Sequence, residues 1–518
     1  MGEAENGDDT PARAAPAPVT SRDFAKGLGT TLLARLGGVI DVLSQPLYVW
    51  LFGLPSFGLY AVLWATINLV ENVADLGMTS SLQRVVPQAK DERAATAALR
   101  SAMIIALVPC TAIALAASLL APQVAPLFNV AAKDAALLTG AIRLFAWALP
   151  LWAFLEIATS ALRARRLFGA EIRIRIFWEQ LIRMLLAVVL WIFFPSIMAL
   201  LIAHLVSLAI AGLLAARLLA RHYQLRHLLR GPLIDPVFFE TFRAGLAVLP
   251  ANAVSRLFGD APPIVLNAIL PGAGGATAAA LYTIARKVSS IVQLVRSAFA
   301  YVLAPLASSA ARGGRAEVQP IYAFATRLAF AMVVPLGCVM AAGGDAILDL
   351  FGPGADDAHA ALVVLVLARM IEALFGSAVP VQQVIGGYRA QVVASATGLS
   401  AAALVFAFLA APDLMGMALA VSTGFIVAAM LPLAQLHFYG AIHPFERPFR
   451  SVALRTILIT LPGLGLALTT SGDTFPEVAE LPGVLLIGAA TIWASVRFAL
   501  PRADRAALGK TAAKLRLL

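Results

Sequence analysis

The sequence predicts an all-α polytopic membrane protein: two parallel six-helix bundles related by a pseudo-twofold axis along the membrane normal, followed by a C-terminal helix pair. Three observations lead to this fold class. Hydrophobic residues make up 60% of the 518 residues and charged residues 13%, a composition far from that of soluble domains. Apolar runs of about 20 residues, the length that crosses a bilayer as a helix, recur along almost the whole chain. The sequence also repeats itself at an offset of roughly 222 residues.

The apolar runs predict fourteen membrane spans. They are 28–50, 56–80, 98–121, 136–160, 173–194, 196–218, 244–269, 277–306, 319–343, 360–386, 390–411, 413–437, 452–470 and 482–500.

The orientation of the spans follows from lysine and arginine, which cytoplasmic loops retain. Alternate loops carry the cations Arg84, Lys90, Arg93, Arg163, Arg165, Arg166, Arg221, Arg226, Arg230, Arg312, Arg315, Arg389, Arg447 and Arg450. The loops between them carry acids, with Lys133 as almost the only cation. The pattern predicts that both termini lie in the cytoplasm.

These spans divide the chain into segments. Residues 1–23 are polar and rich in alanine and proline, and we expect a disordered cytoplasmic terminus there. The six-helix bundles occupy 24–218 and 244–438, joined by a basic cytoplasmic linker at 219–243. A linker and helices 13 and 14 fill 439–500, and 501–518 form a basic cytoplasmic tail.

Four pairs of similar segments, in the same order, support the internal repeat. "LYAVLWATINLVENV" from Leu59 aligns with "LYTIARKVSSIVQLV" from Leu281. The segments beginning at Leu99 and Thr326, at Leu127 and Leu350, and at Phe168 and Tyr388 also match. An even number of crossings separates the copies, so the two bundles run parallel, a plan in which transporters bind substrate between the halves.

Several function classes are disfavoured by the composition. The net charge of +10 is explained by cytoplasmic loops that face anionic lipid headgroups, so we expect membrane lipids and not nucleic acid as partners. Cys110 and Cys338 lie in different spans and indicate neither a disulfide nor a metal site. No glycine-rich nucleotide loop is present, and no cofactor is predicted.

Distributed motifs resemble those of a known transporter family. They include "FGLY" at Phe57, "DLGMTSSLQR" at Asp75, "LYTIARKV" at Leu281, "APL" at Ala304 and "LFGPGADDA" at Leu350. Together they resemble the polysaccharide and O-antigen flippase branch of the multidrug/oligosaccharidyl-lipid/polysaccharide (MOP) exporter superfamily. The major facilitator type is disfavoured because its signature after span two is missing and the extra helix pair follows the second half.

The resemblance implies a flippase that moves polyprenyl-diphosphate-linked oligosaccharide across the bacterial inner membrane by alternating access, driven by an ion gradient. Other polysaccharide-assembly membrane proteins are expected partners. A multidrug or cation antiporter of the same superfamily is the nearer alternative. A membrane-embedded glycan polymerase or ligase is the enzyme alternative, disfavoured because the chain lacks a sizeable external loop for catalytic groups. We therefore expect no enzymatic activity.

Charged residues inside the spans are the candidate site residues, because each embedded charge is unfavourable by about 3 kcal/mol and normally faces a cavity or another charge. The candidates for a cationic substrate cavity are Arg35, Arg143, Arg183, Arg256, Arg286 and Arg369. The candidates for ion coupling are the carboxylates Asp41, Glu71 and Asp260.

Ion pairing is the alternative role for these cations. Arg183 lies four residues from Glu179, Arg256 four from Asp260, and Arg369 three from Glu372, so each can pair on its own helix. Arg35 is expected to reach Glu71 and Asp75 on the next helix. Arg143, Arg286, Lys287 and Arg296 have no acid three or four residues away, and we expect Arg143 and Arg286 to face the cavity. The six histidines form no cluster and are expected in solvated or interfacial positions.

Overall fold

The computed structural model describes residues 38–165, 167, 169, 172–310, 315–385, 388–409, 412–440, 442–470, 476–508 and 510–517. Where it is described, each of the fourteen predicted spans coincides with one helix or with two helices joined by a short turn. Twelve helices in these ranges are long and apolar enough to cross a membrane. The other two spans correspond to the helices Gly38–Phe52 and Gly272–Ala310. The predicted all-α polytopic fold is confirmed.

The longer helices of the first half are α1 (Gly38–Phe52), α2 (Leu54–Ala74), α3 (Met78–Gln88), α4 (Glu92–Leu119), α5 (Leu138–Phe145), α6 (Ala148–Ala164), α7 (Glu179–Phe193) and α8 (Ile197–His222). A π-helical stretch, Ile172–Trp178, leads directly into α7.

The longer helices of the second half are α9 (Pro236–Ile269), α10 (Gly272–Ala310), α11 (Arg315–Ala342), α12 (His359–Phe375), α13 (Ala378–Ile385), α14 (Tyr388–Phe408) and α15 (Leu414–Gly440).

Two helices that follow loops rich in lysine and arginine begin at acidic caps. Asp91 accepts a hydrogen bond from the Ala94 N–H (2.7 Å) before α4, and Asp235 accepts one from the Phe238 N–H (2.8 Å) before α9. Asp75, at the end of α2, accepts hydrogen bonds from the N–H groups of Gly77 (2.6 Å) and Thr79 (3.1 Å) and so joins α2 to α3.

The C-terminal helices α16 (Arg447–Thr470) and α17 (Glu477–Phe498) pack on α11 through a small apolar cluster that contains Val339, Ala467 and Val484. The segment after Pro501 also folds back. On the short helix α18 (Arg502–Ala507), Asp504 pairs with Arg327 of α11 through two hydrogen bonds of 2.7 and 3.0 Å. The predicted basic tail is therefore docked against the second half.

The two halves contact each other closely along α2, which packs against α9 and α10. At Gly58 a Cβ atom would lie 1.8 Å from the carbonyl oxygen of Ala276, so only glycine permits this approach. Asn129 and Asn267 exchange hydrogen bonds of 2.6 to 3.1 Å, and the Trp50 indole donates to the Leu350 carbonyl at 2.7 Å. These contacts join the halves at the ends that the charge pattern predicts to face outward.

Candidate functional site

Two polar cavities lie among the helices. Cavity 1 has a volume of about 410 Å³ and is lined by α1, α2, α6, α7 with its π-helical entry, α9 and α10. Cavity 2 has a volume of about 370 Å³ and lies within the second half, between α9, α10 and α12–α15. Arg286 lines both cavities, so they adjoin at its side chain.

Positive charges outnumber negative ones in both cavities. The charged residues that line cavity 1 are Arg175, Arg183, Arg256, Arg286 and Lys287, with Glu179 and Asp260. Those that line cavity 2 are Arg286, Arg296 and Arg369, with Glu372. An excess of cations in a low-dielectric space attracts anions strongly.

A single glutamate in the first half serves two arginines. Glu156 on α6 is buried, and its carboxylate lies 2.7 Å from Arg175 and 3.8 Å from Arg256. Arg175 also lies over the Trp152 ring, 4.5 Å from its centroid. The spacing of Arg256 and Asp260 predicted a pair on one helix, but Arg256 instead reaches across to Glu156. This predicted pairing is wrong because α6 brings a carboxylate closer to the guanidinium.

A second glutamate also serves two arginines. Glu372 on α12 lies 2.6 Å from Arg369 on the same helix, as predicted, and 3.4 Å from Arg296 on α10. The Arg369 guanidinium lies 3.7 Å from the centroid of the Phe425 ring, which stacks on Phe258. Arg296 thus has an acidic partner on another helix, which its own sequence neighbours did not reveal.

Arg183 is held by a buried network on the wall of cavity 1. Its Nη1 atom donates hydrogen bonds to the Tyr60 hydroxyl (3.0 Å) and to His204 Nε2 (3.1 Å). Its Nε atom lies 3.7 Å from Glu179, the partner four residues away that the spacing predicted. His204 is 0% exposed, so its predicted solvated or interfacial position is wrong. A lone histidine in the apolar run "LLIAHLVSL" was the available signal.

Arg286 differs from the other cavity arginines. Within the described parts of the chain it has no carboxylate within 4 Å, and its Nε atom is buried without a hydrogen-bond partner. Gly259 on α9 leaves room for it, since a Cβ there would lie 3.4 Å from Nη1. Arg286 therefore holds a positive charge at the junction of the two cavities that no described ion pair neutralises.

The remaining predicted residues are distributed differently. Arg35 lies outside the described residues, and Asp41 is in α1 with its side chain outside the description. Arg143 is exposed on the short helix α5 and lines neither cavity, because it lies near the end of its span, where a long side chain reaches the headgroups.

Two predicted carboxylates are buried. Asp260 lines cavity 1 and is 6% exposed. Glu71 is 2% exposed, and its Oε1 atom has no hydrogen-bond partner among the described residues.

Comparisons with known proteins bear on the family and the fold. A family model described as "Polysaccharide biosynthesis protein" matches residues 51–352. The fold is similar to that of the lipid II flippase MurJ in an inward closed conformation (TM-score 0.68, 14% identity, covering 91% of this chain and 97% of that one). It is also similar to an inward-facing multidrug resistance MATE transporter of the MOP superfamily (TM-score 0.64, 15% identity, 80% and 98% covered).

The fold is also similar to that of a MOP superfamily transporter from Pyrococcus furiosus described as having a binding pocket of reverse polarity (TM-score 0.57, 16% identity, 82% of this chain and 96% of that one covered). No curated protein matches the sequence. The solved structures are too distant in sequence to establish more than the fold. The family model spans more than half of the chain, and the chain therefore belongs to the family of polysaccharide biosynthesis proteins, with the two-lobed fold of the MOP superfamily.

Proposed function

We propose that this protein is a flippase that moves polyprenyl-diphosphate-linked oligosaccharide from the cytoplasmic to the outer leaflet of the bacterial inner membrane, for polysaccharide, O-antigen or exopolysaccharide assembly. The observation that carries the proposal is the excess of arginine over carboxylate in the two adjoining cavities. The family match supports a role in polysaccharide biosynthesis. A cation exporter would require the opposite charge balance.

The chemistry of arginine suits a diphosphate headgroup. A guanidinium binds phosphate oxygens through two parallel hydrogen bonds, and such charge-assisted bonds are stronger than neutral ones. Arg286 would make the first contact because none of the described carboxylates lies within 4 Å of its guanidinium, unlike Arg256, Arg296 and Arg369. Arg183 and Arg256 face the same cavity and would bind the remaining phosphate oxygens.

Alternating access requires the contacts between halves to break and re-form. With both termini in the cytoplasm, as the charge pattern predicts, the pairs Asn129–Asn267 and Trp50–Leu350 close the outer side. Asp260 in the cavity wall and buried Glu71 remain proposed sites for the coupling ion, together with Asp41 of α1.

The test is the amount of lipid-linked oligosaccharide on the cytoplasmic leaflet after deletion of the gene. We expect accumulation that wild type relieves. Arg286→Ala loses a charge-assisted contact of about 1.5 to 3 kcal/mol, which lowers transport by roughly ten- to a hundredfold. Arg286→Lys restores part of it, because an ammonium keeps the charge without the planar fork.

Arg143→Ala is the matched control, because it removes an arginine that lies within a span but lines neither cavity, and it should complement fully. No accumulation, combined with sensitivity to cationic drugs, would assign the chain to the multidrug branch instead. Accumulation of unpolymerised substrate on the outer leaflet would point to the enzyme alternative.

A further inference from the structure

A fully buried histidine lies directly behind the cationic wall of cavity 1. The His204 ring centroid on α8 is 4.2 Å from that of Trp64 and 5.5 Å from that of Phe145. The charged and titratable groups around it are Arg183 and Glu179 from α7 and Tyr60 from α2.

On its own helix, Ser207 donates a hydrogen bond to Glu179 at 3.1 Å. Because Arg183, Glu179 and Tyr60 also line cavity 1, His204 is only one side chain away from the space where a ligand would bind.

The hydrogen bonds determine which ring nitrogen carries the proton. The Arg183 N–H can only donate, so His204 Nε2, 3.1 Å from Nη1, must accept. In a neutral ring Nδ1 then carries the hydrogen and donates it to the Tyr60 hydroxyl, which is 3.1 Å away. This arrangement requires neutral His204, since a second proton on Nε2 would face the Arg183 N–H directly.

We propose that His204 is the proton-binding group that links protonation of the protein to anion binding at Arg183, an inference that rests on the proposed function. A ligand phosphate draws the Arg183 guanidinium into cavity 1, so Nε2 loses its donor and Glu179 loses a cation 3.7 Å away. A proton from solvent then binds Nε2. The resulting imidazolium N–H points to Glu179 Oε1, which lies 3.7 Å from Nε2.

The linkage has a definite sign. Anion binding and proton uptake favour each other, and thermodynamic linkage makes the effect reciprocal. Affinity for the anion therefore rises as the pH falls, by up to about tenfold per pH unit if one proton is bound with each anion. The affinity stops rising with falling pH once His204 is already protonated in the free protein.

The experiment measures proton uptake when farnesyl diphosphate, a soluble short-chain polyprenyl diphosphate, binds the full chain in nanodiscs. Titration calorimetry in two buffers of different ionisation enthalpy gives the number of protons, which should be about one per diphosphate near neutral pH for wild type. His204→Gln should bind diphosphate without net uptake. His222→Gln should behave as wild type, because His222 is at the far end of the same helix and bonds to the Leu218 carbonyl at 2.9 Å.

The outcomes separate this inference from the proposed function. If wild type does not bind diphosphate, both are overturned, whereas binding without proton uptake overturns the role of His204 alone. The role of His204 would also be overturned if His204→Gln still took up a proton on binding diphosphate and Glu179→Gln did not, because the proton would then bind the carboxylate.

Nitrogen NMR of the histidines in wild type avoids the question of whether a variant folds. One imidazole should change from the Nδ1–H form to the doubly protonated form when diphosphate is added. Spectra that stay unchanged would contradict the proposal.

Discussion

Replacement of Gly58 by alanine should force the two halves apart on their outer side. The new Cβ would lie 1.8 Å from the Ala276 carbonyl oxygen and 2.7 Å from its carbon. To reach the closest distance that Cβ atoms normally show, 3.0 Å, it must recede by about 1.2 Å, and a backbone carbonyl cannot turn away as a side chain can. Overpacking of this kind destabilises by roughly 1 to 3 kcal/mol.

The strain is present only while α2 and α10 are in contact, so it shifts the equilibrium between the state with the two halves in contact and the state with them separated. A value of about 2 kcal/mol shifts the populations by about 30-fold towards the state with the halves separated. Spin labels on Leu127→Cys and Asp357→Cys, both exposed, report the distance between the outer ends, with Cys110 and Cys338 replaced by alanine.

We expect Gly58→Ala to move the distance distribution of the spin labels to longer values. Gly140→Ala is the control, because a Cβ at Gly140 meets nothing within 4 Å. The reasoning would be refuted if Gly58→Ala and Gly140→Ala gave the same distribution as wild type.

Two further substitutions test contacts that the helix pattern alone did not reveal. Asp504→Asn leaves Arg327 buried without an anion, so we expect a loss of about 3 to 5 kcal/mol and a lower Tm, whereas exposed Arg502→Gln on the same helix should leave Tm unchanged. Equal melting of the two variants would contradict the docked tail. Asn267→Ala removes two hydrogen bonds to Asn129, worth roughly 1 kcal/mol each, and should also lengthen the outer distance. An unchanged outer distance would show that this pair does not hold the halves together.

The positions of the spans could be predicted from sequence because the bilayer imposes one length and one polarity on every crossing segment. Spans that are interrupted by a turn also follow this rule. Span two is broken near Gly77 into α2 and α3, yet its apolar content is continuous enough to predict it as one crossing. The π-helical entry to α7, by contrast, has no signal in hydropathy. It places Arg175 opposite Glu156, and only the structure reveals that contact.

Side-chain partners were harder to predict because sequence spacing reports on neighbours within one helix only. Arg369 and Glu372 pair as their spacing predicted, while Arg256 and Arg296 find acids on other helices. Arg143, like Arg286, has no acid three or four residues away in the sequence. In the structure, however, Arg143 is exposed and does not face cavity 1, whereas Arg286 does. Which face of a helix lies towards a cavity depends on the packing of all its neighbours, and a single hydropathy profile does not contain that information.

The arrangement of one glutamate between two arginines occurs twice, with Glu156 on span four and Glu372 on span ten, two spans that the sequence repeat makes equivalent. A lone arginine at this depth would be strongly destabilised, and a one-to-one ion pair would leave no charge for a ligand. Two arginines that share a carboxylate are both oriented by it, yet the group retains one positive charge. Arg286, between the two groups and with no described carboxylate within 4 Å, adds a third. The cavities can therefore be stable in the empty protein and still attract an anion with several negative charges, which is the property a diphosphate carrier requires.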